Sequence, residues 1–383
     1  MKENKFFIIP FFAVLVLAFI FVSTQIPAAH QSVKNLPIAL VNEDSGEMGQ
    51  TLIDKIQENT KAMQTGDEPM IKWIILSSIQ QMEEEMADQN VYGAIVIPAD
   101  FTKNFGSLQT AAPTKPEVQL FINQGKNTNV ATVVNQNLSG MVAQMNQMMG
   151  DQLLSALDAK NVPLTVAQAR ILTAPISSTT TMLHQTGNLG NAALSLFQPL
   201  WISSILSAMM LFFAGKNRKL LTAASQLKMK AMQVLAAILI GLVAGFSLTW
   251  YTTFLLGFEY ASFSTIAFFL SITCITFILL ISAVLSWIGR GGIVIFVLFM
   301  FFGLPLLQLA PEMLPDFYRE WIYPWLPMRF MFDGVREILF FDGKVWNGSA
   351  IVLVWIAAVS IVVLLAKAFM PVKQIAAGEE SEL

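Results

Sequence analysis

Few side chains in this sequence are suited to chemistry, and their spacing gives them little to do. His30 and His184 are the only two imidazoles in 383 residues, and Cys274 is the only thiol. Neither histidine has a cysteine or carboxylate partner at metal-ligand spacing, so both read as satisfied or solvated side chains. The phosphate loop G-x-x-x-x-G-K-[ST] is missing, as are G-x-G-x-x-G, G-x-S-x-G and H-E-x-x-H. The run Glu83-Glu84-Glu85 has the character of a solvated helix face. Two charged groups remain. Lys216, Arg218, Lys219, Lys228 and Lys230 form a basic stretch with no acidic residue between them. Arg329, Asp333, Arg336 and Glu337 recur at helical spacing on one face. Charges so arranged can orient, dock or pair, but they do not make a nucleophile, an acid–base pair or a metal cage. No catalytic, cofactor or metal site is read from the sequence.

The elements that carry these residues follow from composition. Hydrophobic residues make up 55% of the chain and charged residues 13%, with mean hydropathy +0.58. Soluble domains carry about 25% charged residues. Phe (29) and Met (20) are abundant, and one cysteine excludes a disulfide scaffold, a Cys-rich zinc module and an iron–sulfur protein. A net charge of −3 without a strongly basic region argues against nucleic-acid binding. The apolar residues collect in long blocks at both ends, around a polar middle. This pattern predicts an integral membrane protein.

Crossing a bilayer takes about 20 apolar residues in a helix. Six stretches qualify: Phe6–Val22, Leu194–Ala214, Met232–Leu256, Phe263–Ile288, Ile293–Ala310 and Ala350–Met370. None contains Asp, Glu or Arg, and Lys367 is close enough to an end to snorkel. With the N-terminus inside, the inner segments hold 10 basic and 4 acidic residues and the outer ones 13 basic and 22 acidic. The positive-inside rule therefore predicts six helices with both termini inside. The first run is longer than a signal-peptide core, and Pro27-Ala28-Ala29 is a poor cleavage site, so it reads as an uncleaved anchor. The domains expected are a first transmembrane helix (1–30), an extracytoplasmic α/β domain (31–191) and a five-helix transmembrane domain (192–383). The last would include an outer re-entrant or interfacial segment at 311–346.

Within the outer domain, Pro37–Val41, Ile71–Leu76, Tyr92–Ile97 and Val118–Ile122 read as strands. Helices are expected over Gly49–Met63, Ser78–Gln89 and a short stretch through Phe105 that Asp100 would cap. Strands alternating with helices imply a partly parallel sheet. A long helix follows from Val130. Val130, Val134, Leu138, Met141, Met145, Met148 and Leu153 form its apolar stripe, opposite Asn135, Gln136, Gln144, Asn146 and Gln147. The stripe serves as packing, or as a Met-rich surface for lipid-like cargo. Ser177–Thr181 is expected to lead back to the membrane.

In the membrane half, Lys216–Lys230 is expected to form a short amphipathic helix in the inner loop, with Leu220, Leu221, Ala224 and Leu227 on one side. Its basic ends would meet anionic lipid heads or a cytoplasmic partner. Cys274 falls inside a span and reads as packing. Pro311–Trp346 is rich in Trp and Pro and suits the outer headgroup layer. Within it, Met328–Phe341 has helical spacing, with Arg329, Asp333, Arg336 and Glu337 as ion-paired charges or an outer gate.

Three stretches carry a resemblance. Ile38-Ala39-Leu40-Val41-Asn42-Glu43-Asp44-Ser45-Gly46 is similar to a strand and "VN-x-D-x-G" turn, and Tyr92–Phe101 to an "IP-x-DF" segment. Leu326-Pro327-Met328 with Gly334, Arg336 and Glu337 is similar to an "LPM…GLRE" segment. In this order the chain resembles ABC-2 type permeases of the YhgE/Pip-like branch. The resemblance implies the transmembrane half of an ATP-driven exporter in the bacterial plasma membrane. It would work as a homo- or heterodimer of permease subunits with a separate ABC ATP-binding subunit. ATP and Mg would be held by that partner, and Lys216–Lys230 would match the loop that touches it. Family cargoes are often hydrophobic or amphiphilic. Pip-like relatives imply a second reading, a membrane-anchored surface receptor or scaffold without transport. A membrane enzyme acting on lipid is the third, and it lacks a polar cluster.

Overall fold

The computed structural model describes residues 33–62, 68–108, 110, 113–159, 166–216 and 222–370, with scattered positions between 15 and 29. The expected first span, Phe6–Val22, lies mostly outside the described residues. Contacts divide the chain into two units. One comprises Met1–Gly190 with Pro305–Pro324, and the other Asn191–Leu304 with Trp325–Leu383.

The first unit is built on a five-stranded sheet of order β2-β1-β3-β4-β5. Its strands are β1 (Leu36–Asn42), β2 (Ile71–Leu76), β3 (Gly93–Ile97), β4 (Glu117–Asn123) and β5 (Ser177–Leu183). β1 pairs in parallel with β2 and β3, β4 runs antiparallel to β3, and β5 is parallel to β4. The first three strands thus run one way and the last two the other. Helices α1 (Glu47–Ala62), α2 (Ile79–Ala87) and α3 (Phe101–Ser107) follow β1, β2 and β3 in turn. Every residue of β3 is buried, as a central strand covered on both faces requires. Ala39, Val41, Ala94 and Val96 form one core layer with Met82 and Met86 of α2. On the opposite face, a side chain at Gly93 would strike Val134 of α4 (Thr128–Ala159).

Three expectations change here. Ser177–Thr181 belongs to the edge strand β5, bonded along β4 from Glu117↔Ser177 to Asn123↔Leu183, and is no plain connector. Its five Ser and Thr residues lack apolar alternation because most of the strand faces solvent. The buried stripe of α4 is Val130, Val134, Leu138, Val142, Met145, Met149 and Leu153, whereas Met141 and Met148 are half-exposed. Asn146 leaves the solvent face altogether. Its Nδ2 donates to the Ile176 carbonyl at 2.9 Å and its Oδ1 accepts from the Ile176 N–H at 2.7 Å, docking the entry to β5. A short helix, α5 (Val166–Leu172), precedes that entry.

The second unit is helical: α6 (Ala192–Lys216), α7 (Ala223–Leu256), α8 (Phe263–Ile288), α9 (Gly292–Gln308), α10 (Pro327–Phe340) and α11 (Gly348–Ala366). The range of α9 extends past Leu304 into the first unit. Among the described residues, four helices are long and apolar enough to cross a membrane: α6, α7, α8, and α11 with its terminal turn through Phe369. The 17-residue α9 is shorter, about 25 Å at 1.5 Å per residue. α8 is 72% buried over its most apolar window, against 22–33% for the other three, so it is the central helix. It packs on α6, α7, α10 and α11.

The α7–α8 contact is close because α7 presents Gly241 and Gly245 to it. A Cβ on Gly245 would lie 2.5 Å from the Ser271 nitrogen, and one on Gly241 2.9 Å from that of Ile275. Small residues four apart allow helix backbones to approach where lipid offers no hydrophobic drive. Trp201 of α6 anchors the unit from another side. It is fully buried, 4.7 Å edge-on from Phe277, and donates Nε1–H to the Phe296 carbonyl at 3.2 Å.

Candidate functional site

The residues that carry the family resemblance in the first unit converge on one turn. β1 ends at Asn42, and the next two residues place their carboxylates among helix N-termini. Asp44, 8% exposed, accepts from the Gly49 N–H of α1 at 3.1 Å and from the Thr102 N–H of α3 at 3.2 Å. The Thr102 hydroxyl donates to the same carboxylate. Glu43 Oε1 accepts from the Ile79 N–H, the first of α2, at 3.2 Å. Two adjacent carboxylates therefore serve the unpaired N–H groups of three helices, where the helix dipoles also favour negative charge. Gly46 is required in the turn because a Cβ there would overlap the Thr102 side chain.

The expected cap changes accordingly. Asp100 makes no capping bond to α3. It accepts from Asn104 Nδ2 at 2.7 Å instead, and Asp44 supplies the acceptor from across the sheet. Open α/β sheets bind ligands at the carboxyl ends of the strands, beside a topological switch. Here the chain's own carboxylates fill that place, so the turn is a structural latch.

Asn123, fully buried at the end of β4, donates Nδ2–H to the carbonyls of Met86 (2.8 Å) and Val91 (3.2 Å). Its Oδ1 lies 3.0 Å from His184 Nδ1, which makes His184 part of a structural network. His30 lies outside the described residues. Glu83 and Glu84 face solvent. Glu85 accepts from Asn90 at 2.7 Å. Cys274 is buried 3.5 Å from the Ser204 hydroxyl. Among the described residues no group of three or more His, Cys, Asp or Glu could hold a metal ion.

The basic stretch has a different local structure from that expected. Thr222 and Ser225 form a capping box, and a single helix runs from Ala223 to Leu256. At about 50 Å it exceeds the ~30 Å hydrocarbon layer by several turns. Lys228 and Lys230 therefore lie in the opening turns of a span, where no helix breaker separates them from the apolar run, and not on a separate amphipathic helix. Arg218 and Lys219, with Leu220 and Leu221, lie outside the described residues, as does the side chain of Lys216. Arg290, between α8 and α9, stands 5.4 Å from the ring centre of Phe213 in α6, and Lys367 stands 4.8 Å from that of Trp287 in α8. The turn Lys367–Phe369 packs on α7. Lys230, Arg290 and Lys367 thus gather at the end of the helical unit where α6, α8 and α11 finish and α7 and α9 begin.

The other charged group occupies α10. Arg329 Nε lies 3.1 Å from Asp333 Oδ2, and Arg336 Nη1 lies 3.8 Å from Asp333 Oδ1. Glu337 is held above the usual carboxylate range, first by burial and then by the charge of Asp333. The opposite face of α10 is apolar: Phe332 lies 5.4 Å from Phe197 of α6, and Met328, Met331 and Val335 are fully buried. α10 is therefore an amphipathic helix with a charge row at its edge. Nothing in the sequence links Tyr92, Lys126 and Glu312, which the fold brings together across 220 residues.

These features define a polytopic helical membrane protein bearing a five-stranded α/β unit. The model of the ABC-2 family transporter protein matches residues 6–366, and the chain belongs to that family. It is a multi-pass membrane protein of the class that forms the membrane component of ABC transporters, a transport component and not generally itself the catalyst. The chain is also similar to the uncharacterized protein YhgE of Bacillus subtilis (strain 168), 22% identical over 160 residues. That similarity covers 39% of this chain and 20% of the relative's length. No solved structure matches the chain.

Proposed function

We propose that this chain is the permease subunit of an ATP-driven exporter of hydrophobic or amphiphilic cargo in the bacterial plasma membrane, with the sheet unit outside. A second permease subunit completes the path, and a separate subunit binds ATP and Mg. The observation that carries this reading is the gathering of Lys230, Arg290 and Lys367 at one end of apolar helices, within a chain of the ABC-2 family. Basic residues mark the cytoplasmic end, and a cationic end offers complementary charge to an acidic patch on the ATP-binding subunit. ATP-driven movement of that subunit tilts the helices and opens a cleft between the permease subunits. Arg329, Asp333, Arg336 and Glu337 mark the outer gate.

The spans support this cargo class, since they contain no Asp, Glu or Arg. Three of the four buried hydroxyls of α8 are taken up by backbone carbonyls, and the fourth, Ser282, has no hydrogen-bond partner. Ser271 donates to Ala267 at 2.7 Å, Thr273 to Phe269 at 2.9 Å and Thr276 to Ile272 at 2.9 Å. A polar ion or sugar path usually requires ionisable groups at membrane depth. The test is the charge reversal of Lys216, Arg218, Lys219, Lys228 and Lys230 to Glu in a chain shown to insert with native topology. The expected outcome is loss of association with the ATP-binding subunit, and unchanged association overturns the docking role.

A further inference from the structure

The segment between α9 and α10 begins as the 3-10 turn Pro311–Met313 and continues through the π turn Tyr318–Ile322. Its first part, to Pro324, belongs to the same compact unit as the sheet. The contacts that hold it there are specific. Tyr92, 2% exposed at the entry to β3, donates its hydroxyl to Glu312 Oε2 at 2.9 Å. The Lys34 N–H, just before β1, donates to the Glu312 carbonyl at 3.1 Å. Lys34 Nζ lies 3.7 Å from Asp316 Oδ2, and Arg319 Nη2 lies 2.8 Å from Asp316 Oδ1. Lys126, just before α4, places its ammonium 3.7 Å from the centre of the Tyr92 ring.

The side-chain carboxylate and the backbone carbonyl of Glu312 are thus engaged by residues that lead into sheet strands. A charge-assisted bond from a buried phenol is worth more than a neutral surface contact. The same segment leaves Phe317 (62% exposed) and Trp321 (70% exposed) uncovered. Aromatic side chains of this kind settle at the headgroup level of a bilayer.

We infer that Pro311–Arg319 is a clasp, latched by Glu312, that makes the connection between α9 and α10 and the sheet move as one body. Displacement of this connection then reaches β1 and β3 through the Lys34 and Tyr92 contacts. The clasp does not depend on the transport reading, since it would fix the sheet equally in a receptor. Lys126 lends it charge: burial lowers the pKa of this ammonium to about 8, and Glu312 opposes that shift.

The test is amide hydrogen exchange by mass spectrometry on the full chain in lipid nanodiscs. Glu312→Ala should raise exchange at Lys34 and across residues 312–319 about tenfold, the effect of losing a charge-assisted bond of roughly 1.5 kcal/mol. Tyr92→Phe, which keeps the ring under Lys126, should raise it several-fold at the same peptides, with β5 unchanged. Glu312→Gln retains an acceptor and guards against a folding defect; it should fall between Glu312→Ala and the native chain. Native exchange at both peptides in Glu312→Ala and Tyr92→Phe would overturn the clasp, as would free exchange of 312–319 in the native chain.

Discussion

Asp44 in the sheet unit and Thr276 in the helical unit are both buried polar side chains, and they are satisfied by different means. Asp44 draws on the unpaired N–H groups at the starts of α1 and α3, which the sheet topology brings to one point. Thr276 donates to the Ile272 carbonyl of its own helix and, at 3.1 Å, to Leu353 of α11. A sheet domain exposes helix ends inside itself and can satisfy a carboxylate with them. A membrane helix has no free ends at mid-depth, so its buried polar side chains, the Gln233 amide included, turn mainly to backbone carbonyls. Specificity in the first unit therefore rests on a few polar latches, and in the second on close packing of small residues.

Mutations can break this contrast. The largest effect is expected in the helical unit, where Gly245→Val drives a branched side chain into the Ser271 backbone. Overpacking typically costs about 1–3 kcal/mol, and backbone contact places this variant at ~3 kcal/mol. It should appear as a lower thermal midpoint in detergent, with hydrogen exchange in the sheet unaltered. Asp44→Ala should cost about 2 kcal/mol in the sheet unit, since it leaves two helix starts uncapped at roughly 1 kcal/mol each. The readout is faster exchange at the first turns of α1 and α3, with helical-unit stability unchanged.

A further effect is expected from pH. The Lys126 pKa is lowered from 10.5 to about 8 in the folded chain, by burial against a partial offset from Glu312. Between these values the unfolded chain binds more protons than the folded one, so stability of the sheet unit rises with pH across that window. Denaturant titrations should record the rise, and Lys126→Met should flatten it. The smallest effect is Thr276→Val, about 0.6 kcal/mol, typical of a single interhelical bond in a membrane. A loss above ~2 kcal/mol there would mean that hydrogen bonds, not packing, hold the helical unit.

Legibility in the sequence follows the same division. Four of the six expected spans and β1–β4 stand out because they carry apolar residues over the right length, and Ile71–Leu76 and Phe263–Ile288 match to the residue. β5 is hidden because an exposed edge strand of Ser and Thr carries no alternation; only the β-branched threonines hint at it. The start of α7 is misplaced because hydropathy drops across Lys228 and Lys230, while the Thr222 cap that starts the helix is a local signal six residues earlier. Asp100 is a plausible cap by sequence, yet the acceptor comes from Asp44, 58 residues from Thr102. Contacts at such separation leave no local pattern, and the Tyr92–Glu312 pair is a further case.

The membrane half of an ATP-driven exporter must associate with an ATP-binding subunit. The most direct measurement is affinity purification of the tagged full chain in mild detergent, with mass spectrometry of what accompanies it and an ATPase assay after transfer to lipid nanodiscs. The exporter role predicts a co-purifying ATP-binding subunit and vanadate-sensitive hydrolysis that disappears when that subunit is removed. A stable, correctly inserted preparation with neither would contradict it and favour a receptor or scaffold.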